Sequence, residues 1–128
     1  MPNKTKKMFD VAREVAKTGD TNGVNRRYRL GAVGLRSDGV IVCACNLPVM
    51  EPSRAAHAEY RVCQKMDWGG EIYVVRIDKG EKFRLSRPCK RCQTEMINNG
   101  VRRCYYSISE DDSGNLEFGV IRFNVRRK

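Results

Sequence analysis

Met8, Val11, Ala12, Val15 and Ala16 recur at i, i+3, i+4, i+7 and i+8, the spacing of one face of an amphipathic helix over residues 4–17. Gly19 stands where a left-handed residue ends such a helix. Residues 18–29 are polar, contain two glycines and read as a loop. Apolar runs then occupy 30–35 and 40–45 on either side of Ser37-Asp38-Gly39. Asp-Gly between β-prone runs predicts a hairpin.

Two prolines make 46–52 a loop, and a second helix is expected over 53–66 with Ser53 as N-cap. Residues 72–77 predict a strand, 79–87 a charged loop, and 88 to about 99 a third helix opened by Pro88 and closed near Asn99-Gly100. Strands over 102–108 and 116–125 complete the order α-β-β-α-β-α-β-β. Strands alternating with helices imply an α/β fold, a three-layer α/β/α sandwich around a mixed five-stranded sheet. The 109–115 link is too short for a parallel crossover, so the last two strands should pair antiparallel.

A chain of 128 residues with 41% hydrophobic content fits one globular domain, taken as 1–128. No apolar run is long enough to span a bilayer. The basic start is followed by Asp10, Arg13 and Glu14 rather than by an apolar signal segment. These features lead us to expect a cytoplasmic protein with no membrane partner. The net charge of +10 is spread over several basic clusters and favours phosphate-bearing partners, a nucleotide or a single-stranded nucleic acid. Arg26, Arg27, Tyr28 and Arg29 mix cations with an aromatic as strand binders do, although a solvated loop has the same composition.

Chemistry concentrates in two short motifs. The only histidine of the chain lies in His57-Ala58-Glu59, and a CxxC pair lies in Pro88-Cys89-Lys90-Arg91-Cys92. One imidazole and two thiolates suit Zn²⁺ with a fourth position left for water. Cys89 and Cys92 are three apart and share a helix face. Glu59 is two residues from His57, a helical rotation of roughly 200°, so the two cannot converge as ordinary ligands. A carboxylate beside a zinc-activated water can instead carry protons. A structural zinc would need a fourth ligand, from Cys63 or Cys104, and a redox CxxC leaves His57 and Glu59 without a purpose. Cys43, Cys45, Cys63 and Cys104 read as small buried hydrophobes. Tyr105 and Tyr106 alternate across a strand, so at most one can face a base, and core packing is the simpler role for either.

At His57-Ala58-Glu59 and Pro88-Cys89-Lys90-Arg91-Cys92 the chain resembles the cytidine and deoxycytidylate deaminase superfamily, which includes enzymes acting on nucleosides, nucleotides, tRNA and single-stranded polynucleotides. The resemblance implies a cytidine deaminase-like sandwich, zinc held by His57, Cys89 and Cys92, and proton transfer by Glu59. It also implies substrate contacts from Asn46 and from the backbone N–H of Ala58, and a homo-oligomer. The expected activity is hydrolytic conversion of cytosine to uracil, with release of ammonia, in cytidine, deoxycytidine or their monophosphates. A cytosine or adenine deaminase of single-stranded DNA or RNA is the alternative, and a non-catalytic zinc-stabilised binding module a third reading. Compactness favours the small substrate, and Glu59 argues against the module. Arg87 before Pro88 departs from the pattern of the well-known branches.

Overall fold

The computed structural model describes residues 3–18, 29–45 and 58–125. The first helix, α1 (Asn3–Lys17), is followed by the hairpin of β1 (Arg29–Leu35) and β2 (Ile41–Cys45). Next come α2, described over Ala58–Cys63, and β3 (Glu71–Ile77). A two-residue strand β4 (Phe83–Arg84), helix α3 (Lys90–Asn98), and strands β5 (Arg103–Glu110) and β6 (Leu116–Arg122) complete the chain. The sheet runs in the order β2-β1-β3-β5-β6, with β4 paired to β3 beyond the end of the β5 ladder. Only β3 and β5 are parallel; the remaining pairings are antiparallel, including the last two strands as expected.

Strand alternation sorts the core into two layers. On one face Val33, Tyr73, Val75, Ile77 and Phe83 pack under Met8, Phe9, Ala12 and Ala16 of α1. On the other, Ala32, Ile72, Val74 and Cys104 meet Ala58, Val62 and Cys63 of α2 and Met96 of α3. The predicted three-layer sandwich is therefore the observed one. Helix α1 sits close because Gly31 faces it: a Cβ there would lie 2.6 Å from both the Ala12 carbonyl oxygen and the Ala16 nitrogen. The rings of Phe9 and Tyr73 meet edge-on at 5.7 Å, and Tyr73 stacks on Tyr105 at 4.6 Å. Each fully buried side chain of this size stabilises the fold by about 1.5–3 kcal/mol.

Several boundaries differ from those read in the sequence. Residues 79–87 are not all loop, because Phe83 points into the α1-side core and pairs with Ile77. The turn before it is closed by Asp78, whose backbone N–H donates to the Lys82 carbonyl and whose carboxylate accepts the Lys82 N–H. Two apolar residues, Phe83 and Leu85, among charges were too weak a signal for a strand. Helix α2 ends at Cys63 rather than Met66, where i→i+3 bonds from Lys65 to Val62 and from Met66 to Cys63 tighten the chain into a turn. Helix α3 begins at Lys90, with Cys89 as its extended N-cap, two residues later than expected. It ends as predicted. Gly100 adopts φ 75°, the Val101 N–H bonds the Met96 carbonyl at 2.9 Å, and the Gly100 N–H bonds that of Ile97 at 3.0 Å. That pair is a Schellman motif. Strand β6 stops at Arg122.

Cysteine burial also corrects the reading. Cys63 and Cys104 are buried, but Cys43 is exposed and Cys45 only half-buried. The reason is position: β2 is an edge strand that buries Ala44 and leaves Ile41 53% exposed. Gly19, Asn46, Ser53, His57 and the Arg26-Arg27-Tyr28 cluster lie outside the described residues; Arg29 opens β1. Among the described residues, no helix is long and apolar enough to cross a membrane.

Candidate active site

The parallel strands β3 and β5 run side by side, and a cavity opens near the carboxyl end of β3, where open α/β sheets bind ligands. It has a volume of about 260 Å³ and is lined by Leu30, Glu59, Arg76, Leu85, Ser86, Arg87 and Cys89. Five elements contribute. Leu30 comes from β1, Glu59 from α2, Arg76 from β3, Leu85 to Arg87 from the segment after β4, and Cys89 from the N-cap of α3.

Glu59 lies in the first described turn of α2 and is only 6% exposed, although it borders the cavity. It follows Ala58, which is fully buried, and Ala58 is bonded directly to His57.

Across from it, Cys89 and Cys92 flank the first turn of α3. Cys89 is exposed to the cavity and Cys92 is buried beneath it. Cys92 lies close enough to Cys89 for the two thiols to act on one another. Burial holds the Cys92 thiol far above the ordinary cysteine range, and the negative charge of Glu59 and the contact with Cys89 push the same way. Glu59 is thus close enough for its charge to be felt at Cys92. Helix N-terminal N–H groups favour thiolates when a cation draws off the proton.

The wall behind the pair is fixed by serines. Ser86 Oγ donates to the Val74 carbonyl at 2.8 Å and accepts the Ser107 N–H at 2.9 Å. Gln93 Nε2 donates to the Pro88 carbonyl at 2.9 Å, tying the start of α3 to the segment before it. Cys63 and Cys104 are packed in the core below, and burial raises both thiols, that of Cys63 to about 12. Among the described residues no three His, Cys, Asp or Glu side chains are grouped as a metal site would group them.

Of the residues singled out from sequence, Glu59 and Cys89 line the cavity, Cys92 lies buried within reach of both, and Ala58 packs in the core on the α2 side; His57 and Asn46 lie outside the described residues. Tyr105 packs against Tyr73 on the α1 side, and Tyr106 faces the other way. Arg76 and Ser86 were not anticipated. An arginine inside Ile-Tyr-Val-Val-Arg-Ile and a serine alternating with Arg87 before Pro88 were the available signals.

A family profile described as the cytidine and deoxycytidylate deaminase zinc-binding region matches residues 2–108. No curated protein matches the chain by sequence. Among solved structures, the cytidine deaminase from Burkholderia pseudomallei superposes with a TM-score of 0.62 at 16% identity, covering 95% of this chain and 93% of its own. The cytidine deaminase from Mycobacterium leprae gives 0.54 at 15% identity over 92% and 94%. A mutant cytidine deaminase from Mycobacterium tuberculosis gives 0.54 at 19% identity over 77% and 79%. At these identities the likeness is one of fold.

Proposed function

The chain belongs to the cytidine and deoxycytidylate deaminase family, and from that premise we propose that it hydrolyses cytosine to uracil in a free nucleoside or nucleotide and releases ammonia. The observation that carries this reading is the placement of Glu59 and Cys89 on one cavity, with Cys92 in contact with Cys89. Two adjacent thiols at a helix start, plus the imidazole that sequence places next to Ala58, form a donor set that fits zinc. His57, Cys89 and Cys92 would hold the ion, which supplies Lewis acidity that activates water near neutral pH.

The chain's own residues carry the rest. Glu59, recessed beside the cavity, takes the proton of the attacking water and passes it to the ring nitrogen N3. It then takes the remaining hydroxyl proton of the adduct and gives it to the departing amine as the uracil carbonyl forms. Attack at the amino-bearing carbon and loss of ammonia leave uracil. Leu30 and Leu85 give the cavity apolar walls that hold the base and limit bulk water. Asn46 and the Ala58 N–H are proposed to orient sugar and base, and a cytoplasmic homo-oligomer is the assembly we expect.

Zinc-loaded protein incubated with cytidine, deoxycytidine, their monophosphates and short oligonucleotides, with products read by mass spectrometry, tests the proposal. Conversion of the small cytosine substrates, reduced roughly 10²–10⁴-fold in Glu59→Ala, is expected. Conversion of the oligonucleotide alone, or of none, overturns it.

A further inference from the structure

Two guanidiniums, from Arg76 and Arg87, line the cavity that holds Glu59. Among the described lining residues, Glu59 supplies the single formal negative charge. Zinc held by two thiolates and a neutral imidazole would add no net charge. The described lining thus carries two cationic side chains and one anionic one. A phosphate monoester, carrying about −1.5 to −2 at neutral pH, is an anion that suits such a lining.

Arg87 is held in place for this task. Its neighbours Ser86 and Pro88 are buried while Arg87 itself is exposed, and Ser86 is anchored on Val74 and Ser107. Its Nη1 donates to the Tyr106 hydroxyl at 3.0 Å, and its Cζ lies 5.5 Å from the centroid of the same ring. Tyr106 is in turn backed by Gly119, where any Cβ would strike the ring. The contact with Tyr106 uses one of the five N–H donors of a guanidinium, whose fork matches phosphate oxygens. A cavity of about 260 Å³ lies at the small end of ligand pockets, which favours a mononucleotide over a strand.

Resting on the deaminase reading above, we propose that Arg87, assisted by Arg76, reads the phosphate of the substrate and selects cytosine nucleoside monophosphates over free nucleosides. Calorimetric binding and turnover of dCMP, deoxycytidine and a short single-stranded oligonucleotide by the zinc-loaded full chain test this. One or two charge-assisted hydrogen bonds predict roughly ten- to a hundred-fold tighter binding of dCMP than of deoxycytidine. That ratio should collapse in Arg87→Ala, persist in part in Arg87→Lys, and weaken in Tyr106→Phe. Equal binding of dCMP and deoxycytidine by the wild type, or an unchanged ratio in Arg87→Ala, overturns the proposal. Tighter binding of the oligonucleotide than of dCMP overturns it in favour of a strand. A dCMP preference without turnover removes the deaminase reading and keeps the phosphate site. Equal turnover of both substrates does the reverse.

Discussion

The side-chain oxygens of Ser86 and Ser107 meet at 2.9 Å inside the protein, within a group of hydrogen bonds that joins three strands. Ser86 Oγ bonds the Val74 carbonyl of β3, Ser107 Oγ bonds the Arg84 carbonyl of β4 at 2.6 Å, and Ser107 itself belongs to β5. The segment they pin carries Leu85, Arg87 and Cys89 to the cavity. A buried hydroxyl pair therefore connects the middle of the sheet to one side of the site.

Replacing Ser86 by alanine leaves the buried Ser107 N–H without that acceptor. The expected loss is about 1–3 kcal/mol of stability, measured by urea denaturation. Zinc affinity should fall with it, because Cys89 lies three residues on. An unchanged midpoint together with unchanged zinc affinity would show that the hydroxyl does not hold the segment.

Gly31 allows the close approach of α1 to β1, since a side chain there would press on the backbone of Ala12 and Ala16. Gly31→Ala should destabilise the fold by about 1–3 kcal/mol through overpacking. Thermal unfolding followed by circular dichroism checks this. The helix itself should form in the variant, so the loss should appear in the midpoint and not in the helical signal before the transition.

Burial raises the Cys63 thiol from 9.0 to about 12. The folded state thus keeps a proton that the unfolded chain gives up, and the stability this provides is present below pH 9 and lost as pH rises toward 12. Melting temperature should fall through the alkaline range, with a shallower slope in Cys63→Ala. The same burial shields Cys63 and Cys104 from alkylation at pH 8, where the exposed Cys43 should react before either. Mass spectrometry of the native protein treated with iodoacetamide reads this order directly.

Long periodic segments were legible in the sequence: helix α1, the Asp-Gly hairpin, and the antiparallel ending forced by a seven-residue link. The face of α1 was read only in part, because Val11 is 40% exposed while Phe9, outside the expected stripe, is fully buried. The two motifs carrying Glu59, Cys89 and Cys92 were legible because spacing and residue chemistry are local properties. What escaped depends on tertiary placement. Phe83 forms a strand only because Ile77 lies beside it, and Cys43 is exposed only because β2 is an edge. The helix at Pro88 starts late because Cys89 takes an extended N-cap conformation, with ψ 166°. Arg76 reaches the cavity through the face of β3 it occupies; an arginine inside an apolar strand was visible in the sequence, but where it faces was not.

The central claim is that Glu59 moves protons beside a zinc held by other residues. Zinc content and ammonia release should be measured together in the wild type and in Glu59→Gln. The account predicts about one zinc per chain in both proteins, in line with a single three-ligand site, and ammonia from cytosine nucleosides or nucleotides in the wild type alone. A Glu59→Gln protein that has lost its zinc, or that still releases ammonia at the wild-type rate, would contradict it.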